Sequence, residues 1–161
     1  MFQKGARIIV VVLLLLIVHQ PLCSSTEPQY HIATYPSNWF EASEYCYRMG
    51  SRLAVVDSEA KHNAIVRAAK AAELHSSGYF GGWLDATDLG RAKNFVWHST
   101  GARVQFSRWR IWEPSGGDEH CAALQYWPLL GFMWTWNDVA CNEKLYAICE
   151  STDSASCVQQ F

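Results

Sequence analysis

Two short polar segments in the second half of this chain hold the residues best suited to chemistry. Glu113-Pro114-Ser115 is followed by Glu119, two residues before Cys121, and then by Trp136-Asn137-Asp138, three residues before Cys141. Three carboxylates and an amide thus stand in a region otherwise crowded with Trp, Tyr, Leu and Phe. Oxygen donors of this kind suit a hard cation, and calcium takes six to eight of them. A bond between Cys121 and Cys141 would hold the two segments side by side. Taken singly, acidic residues in a loop are as readily a solvated face. The second cluster and the cysteines tip the balance toward a metal site.

These residues also carry a family resemblance. Over roughly residues 30–150 the chain resembles a C-type lectin-like domain, in which a Glu-Pro-Asn or Gln-Pro-Asp triplet, a Glu two before a Cys, and Trp-Asn-Asp bind calcium and, through it, a sugar. Further matches are Asn38-Trp39-Phe40-Glu41-Ala42 with Cys46, Ala54-Val55-Val56-Asp57-Ser58-Glu59, and Gly82-Trp83-Leu84-Asp85. The resemblance implies an α+β fold of two helices packed on small antiparallel sheets, with a long calcium-binding loop region. It implies that Glu113, Ser115, Glu119, Asn137 and Asp138 form both the metal site and the carbohydrate site. Pro114 matches a cis-proline that turns its neighbours toward one ion. The resemblance also pairs Cys46 with Cys149 and Cys121 with Cys141.

Ser115 departs from the family pattern, which has Asn or Asp there. A hydroxyl is a shorter and weaker neutral ligand, so reduced calcium affinity is expected. Glu at position 113 resembles the mannose-type pattern and favours mannose, fucose or N-acetylglucosamine over galactose. A second calcium position of the family is incomplete. Asp85 matches one of its ligands, but Leu89 and Gly116 stand where acidic residues are expected, so one calcium is predicted.

The amino terminus has the layout of a secretory leader: Lys4 and Arg7, an apolar run over residues 8–18, then Pro21, Ser24 and Ser25. The run is short for a membrane span, with a signal anchor as the alternative. The expected division is a leader over 1–25, one domain over 26–150 and a polar tail over 151–161. Removing the leader leaves 136 residues with 11 basic and 15 acidic side chains. No basic run is present, so nucleic acid is not an expected partner. A secreted chain with six cysteines should use them as disulfides. Cys23 leaves with the leader, and Cys157 is then odd. It is read as an intermolecular bridge giving a dimer, as a free thiol, or as the partner of a retained Cys23.

Asn38 and Glu41 form a capping-box pattern, so a helix is predicted from Trp39 to Met49, burying Phe40 and Cys46, with Gly50 at its end. A short strand is expected over 53–56. A second helix should start after Asp57 or Ser58 and run through Ile65, Val66 and Ala69 toward Leu74. Strands are expected over 80–84, 95–97, 124–126, 134–136 and 145–149. Among the eight tryptophans, Trp83, Trp97, Trp109, Trp112, Trp134 and Trp136 are read as packing residues and Trp127 as the exposed one.

An enzyme is the first competing class. Glu119-His120 and six histidines suggest zinc or acid–base work, but no His-Glu-x-x-His, nucleophile elbow or phosphate loop is present. The second is a protein-binding module on the same scaffold, since fold does not settle function. The expected function is a secreted calcium-dependent lectin, not an enzyme, with glycans or glycoproteins as partners and no membrane insertion.

Overall fold

The computed structural model describes residues 28–151. The leader expected over 1–25, Cys23, Cys157 and the tail beyond Ser151 lie outside them. Two helices, α1 (Trp39–Arg48) and α2 (Glu59–Ala71), stand among the strands β1 (Tyr30–Ser37), β2 (Ser51–Leu53), β3 (Phe80–Thr87), β4 (Val96–Trp97), β5 (Cys121–Trp127), β6 (Phe132–Val139) and β7 (Leu145–Ser151).

Helix α1 begins where its cap predicts. The Asn38 side chain accepts from the Glu41 amide at 2.9 Å, and the Glu41 carboxylate accepts from the Asn38 amide at 3.0 Å. The helix ends one residue earlier than expected, at Arg48, and Gly50 follows in the left-handed region at φ 67. It buries Trp39, Ala42, Ser43 and Cys46, a stripe of helical period. Phe40, expected inside, falls beside that stripe and is 51% exposed, lying edge-on to Trp39. Helix α2 is capped by Ser58, whose hydroxyl accepts from the Lys61 amide at 3.4 Å, and buries His62, Ile65 and Ala69. It stops at Ala71, short of Leu74.

Where small antiparallel sheets are expected, the strands join one sheet of order β1-β7-β3-β5-β6, with β2 on β7 and β4 on β3. Every pairing is antiparallel except β3 with β7. The strand expected over 53–56 sits earlier, because Ser51–Leu53 pairs with the end of β7 while the Val55 amide leaves the ladder to donate to the Glu150 carboxylate at 2.8 Å. β1 was not anticipated. It contains Pro36, its register shifts between Ile32 and Pro36, and its partner lies more than 100 residues away in β7.

The core divides into two buried clusters. One gathers Ile65, Phe80, Leu84, Trp97, Leu124, Trp136 and Ile148. The other gathers Trp39, Leu53, Trp83, Leu145 and the cystines. The two indoles of the second cluster have partners: Trp39 Nε1 donates to the Leu84 carbonyl at 2.9 Å, and Trp83 Nε1 to the Ser37 carbonyl at 2.8 Å. Cys46–Cys149 ties α1 to β7, and Cys121–Cys141 ties the start of β5 to the segment after β6, as the resemblance implied.

Candidate metal centre

The long connection between β4 and β5 is fastened to β6 by its main chain. The Trp136 amide donates to the Arg108 carbonyl at 2.7 Å, and the Arg110 amide donates to the Trp136 carbonyl at 2.9 Å. Arg108 also anchors sideways, its Nε donating to Glu59 at the head of α2 at 2.8 Å. That register leaves Glu113 only three residues beyond the tie to Trp136, the residue preceding Asn137 and Asp138.

Between the tie and the triplet the chain makes a tight turn. The Glu113 amide donates to the Arg110 carbonyl at 2.9 Å, and Trp112 occupies the third position at φ 74. A turn of this form normally takes Gly or Asn there. Trp112 was expected to pack, yet it is 83% exposed. Trp109 and Trp136 pack edge to face with ring centroids 5.6 Å apart. Trp127, expected to be the exposed ring, is 37% exposed and rests edge-on against Tyr79.

The Glu113–Pro114 peptide is cis. Asp138, fully buried, accepts from both following amides: Ser115 N–H to Oδ1 at 2.9 Å and Gly116 N–H to Oδ2 at 2.7 Å. Gly116 reaches this position with φ 81, where a side chain would be strained. The Ser115 hydroxyl donates to Glu119 Oε2 at 2.6 Å. Asp138 pairs with Ala122 across β5 and β6, so Glu119, three residues upstream, enters from the same end of the sheet.

Burial raises the Glu113 carboxyl above its ordinary pKa, and the neighbouring Asp138 carboxylate raises it further; Ser115 offsets part of this. Glu113 Oε2 and Asn137 Oδ1 are buried with no hydrogen-bond partner. Such oxygens are costly to leave unmatched. A cation can satisfy a carboxylate or an amide oxygen that has no donor, so these residue types fit calcium. Among the described residues no three His, Cys, Asp or Glu side chains form a ready metal group.

Asp85, matched to a second calcium position, accepts from the Ser99 amide and hydroxyl at 2.9 and 2.7 Å. Burial raises its pKa, opposed by those two bonds. Asp88 is the carboxylate that sequence reasoning missed. It lies 2.8 Å from His120 Nδ1, next to Glu119, and accepts from the Lys93 amide at 2.5 Å. No spacing signal could have found it, because its imidazole partner is 32 positions away.

The family model for the Lectin C-type domain matches residues 35–151. The chain is 38% identical over 116 residues to Salivary C-type lectin 1 of Aedes albopictus, covering 71% of this chain and 76% of that lectin. It is 40% identical over 116 residues to C-type lectin 16 of Aedes aegypti, covering 71% and 75%. Among solved structures, the carbohydrate-recognition domain of the mouse scavenger receptor C-type lectin superposes with a TM-score of 0.65 at 24% identity, over 79% of this chain and 92% of that one, a likeness of fold. With the paired cystines, the cis Glu113–Pro114 bond and the extent of these matches together, the chain belongs to the C-type lectin family.

Proposed function

We propose that this chain is a secreted, calcium-dependent carbohydrate-binding lectin of the mannose, fucose or N-acetylglucosamine type. The observation that carries it is the pair of buried, donorless oxygens, Glu113 Oε2 beside Asp138 and Ser115, and Asn137 Oδ1 on the residue preceding Asp138 in β6. Bound calcium would supply open coordination positions for two neighbouring sugar hydroxyls. Glu113 and Glu119 would then accept hydroxyl protons, and the Asn137 amide would donate to a sugar oxygen. Asp138, held by the Ser115 and Gly116 amides, keeps the loop folded against β6 while contributing negative charge. The leader-like amino terminus supports secretion, and no helix of the described residues is long and apolar enough to cross a membrane.

The deciding experiment is a glycan array probed with calcium and again with excess chelator. Chelator-sensitive retention of mannose-type glycans is expected, and retention unchanged in chelator would overturn the proposal. A second reading, a protein-binding module without sugar, is favoured by one surface feature. Ile111, Trp112, Leu129 and Leu130 are all exposed. It predicts no glycan signal under either condition. The dimer through Cys157 is a separate proposal: non-reducing electrophoresis should show a band of twice the monomer mass that reductant removes, and a monomer band alone would exclude it.

A further inference from the structure

Residues 89–112 include Arg91, Lys93, Arg103, Arg108 and Arg110 and no Asp or Glu, in a chain whose acidic residues outnumber its basic ones by 15 to 13. These cations are spread along the sequence, so no basic run marks them. The fold brings two of them to one pocket of about 350 Å³, lined by Lys93, Asn94, Phe95, Arg103, Trp109 and Pro114 among others, none of them acidic. Arg108 is engaged by Glu59, and Arg110 by the Leu130 carbonyl and the Phe132 ring. Lys93 and Arg103 have no carboxylate partner among the described residues. The Asp88 carboxylate takes the Lys93 main-chain amide rather than its ammonium, which fixes the backbone and leaves the charge uncommitted.

The pocket adjoins the candidate metal centre. Pro114 belongs to both, and a side chain built at Gly116 would meet the Lys93 Cε at 3.4 Å, so the lysine stem runs beside the triplet. Its aromatic members, Phe95 and Trp109, lie 4.9 Å apart and offer an apolar wall. A guanidinium matches a sulfate or carboxylate with two parallel hydrogen bonds, and an ammonium adds a point charge. An apolar wall with two uncompensated cations suits a sugar ring that carries an anionic group.

We propose that this pocket is an anion subsite, taking a sulfate or carboxylate on an acidic glycan whose neutral ring occupies the Glu113–Asp138 cluster, an inference resting on the carbohydrate-binding function proposed above. Both cations are solvent-facing, so the gain is modest and falls with salt.

The test uses the full-length secreted protein and the K93Q/R103Q variant, neither residue being a ligand of the proposed metal centre. Calorimetry with calcium compares methyl N-acetylglucosaminide, its 6-sulfate and methyl glucuronide. Wild type should bind the anionic sugars roughly five- to tenfold more tightly than the neutral one at low salt. The variant should lose that ratio while keeping neutral-sugar and calcium affinity. Inorganic sulfate and phosphate, followed by amide NMR against chloride at equal ionic strength, read the pocket without any sugar. Shifts confined to the pocket are expected in wild type and absent in the variant. If neutral-sugar binding fails while the sulfate shifts persist, the lectin function falls and the anion subsite stands. No sulfate shifts in wild type, equal shifts in the variant, or an anionic-to-neutral ratio unchanged in the variant would overturn the subsite.

Discussion

The Ser115 hydroxyl donates to Glu119 at 2.6 Å, joining the one position that departs from the family triplet to one of the proposed calcium ligands. A hydroxyl in this role satisfies a carboxylate oxygen that an ion would otherwise claim. Ser115→Asn exchanges that bond for an amide able to present its own oxygen to a metal. Calcium affinity should rise by roughly tenfold, the scale of single-residue effects around metal ligands. Mannose-type sugars should gain over galactose. Calorimetry showing equal or weaker calcium binding in the variant would mean that Ser115 does not limit the site.

Glu113 supplies a pH dependence of defined sign. Burial and the Asp138 carboxylate raise its folded-state pKa above the unfolded value. For a carboxyl shifted upward, the folded state binds the proton more tightly. Metal-free stability from this group is therefore fully present below the ordinary carboxylate range and is lost as pH rises through the folded pKa. Glu113→Gln should accordingly melt higher than wild type in chelator near pH 7, and the difference should close by about pH 4. In calcium the order should reverse, because only the ionised carboxylate ligates. Melting curves in the four conditions decide it. A wild type that outlasts the variant in chelator would contradict the raised pKa.

The helices and the segment that carries the candidate ligands were legible in the sequence because their determinants are local. Asn38 and Glu41 cap α1 from three residues apart, and Glu113, Pro114 and Ser115 are contiguous. What escaped depends on distant partners. β1 exists through β7, and the Asp88–His120 contact spans 32 positions. Phe40 shows a subtler limit: it is apolar and helical, but the 39-42-43-46 stripe leaves it on the outer face. Trp112 escaped for a related reason. Residue type argues for burial, whereas its place in the Arg110–Glu113 turn dictates exposure.

The Cys121–Cys141 bond should contribute to stability and to the site separately. It closes a separation of 20 residues, for which the chain-entropy model assigns about 3 kcal/mol. It also fixes the start of β5, and with it Glu119, to the segment that follows Asn137 and Asp138. The paired Cys121→Ser and Cys141→Ser variant should lose stability by about that amount in denaturant titration. Its calcium affinity should fall even at temperatures where it remains folded. Unchanged calcium affinity in the folded variant would show that the β5–β6 ladder alone sets the ligand spacing.

Trp112 is the clearest case of local strain beside the site. A bulky residue at φ 74, in a turn position that favours Gly, costs on the order of 1–3 kcal/mol. The ring recovers little of this by packing, since 83% of the residue is exposed. Trp112→Gly removes the strain, although glycine returns part of the gain through its larger unfolded-state entropy. The net expectation is a stabilisation of about 1 kcal/mol, or a rise in melting temperature of about 4 °C for a domain near this size. The Arg110–Glu113 hydrogen bond should persist, so calcium affinity should be unchanged. A strained, exposed indole one residue from Glu113 is tolerable where the ring has a use, and under the proposed lectin function that use is contact with extended glycans. The same variant should therefore keep monosaccharide affinity while losing its preference for oligosaccharides over monosaccharides. A less stable Trp112→Gly protein would show that the indole packs more than its exposure indicates, and an undiminished oligosaccharide preference would remove it from glycan contact.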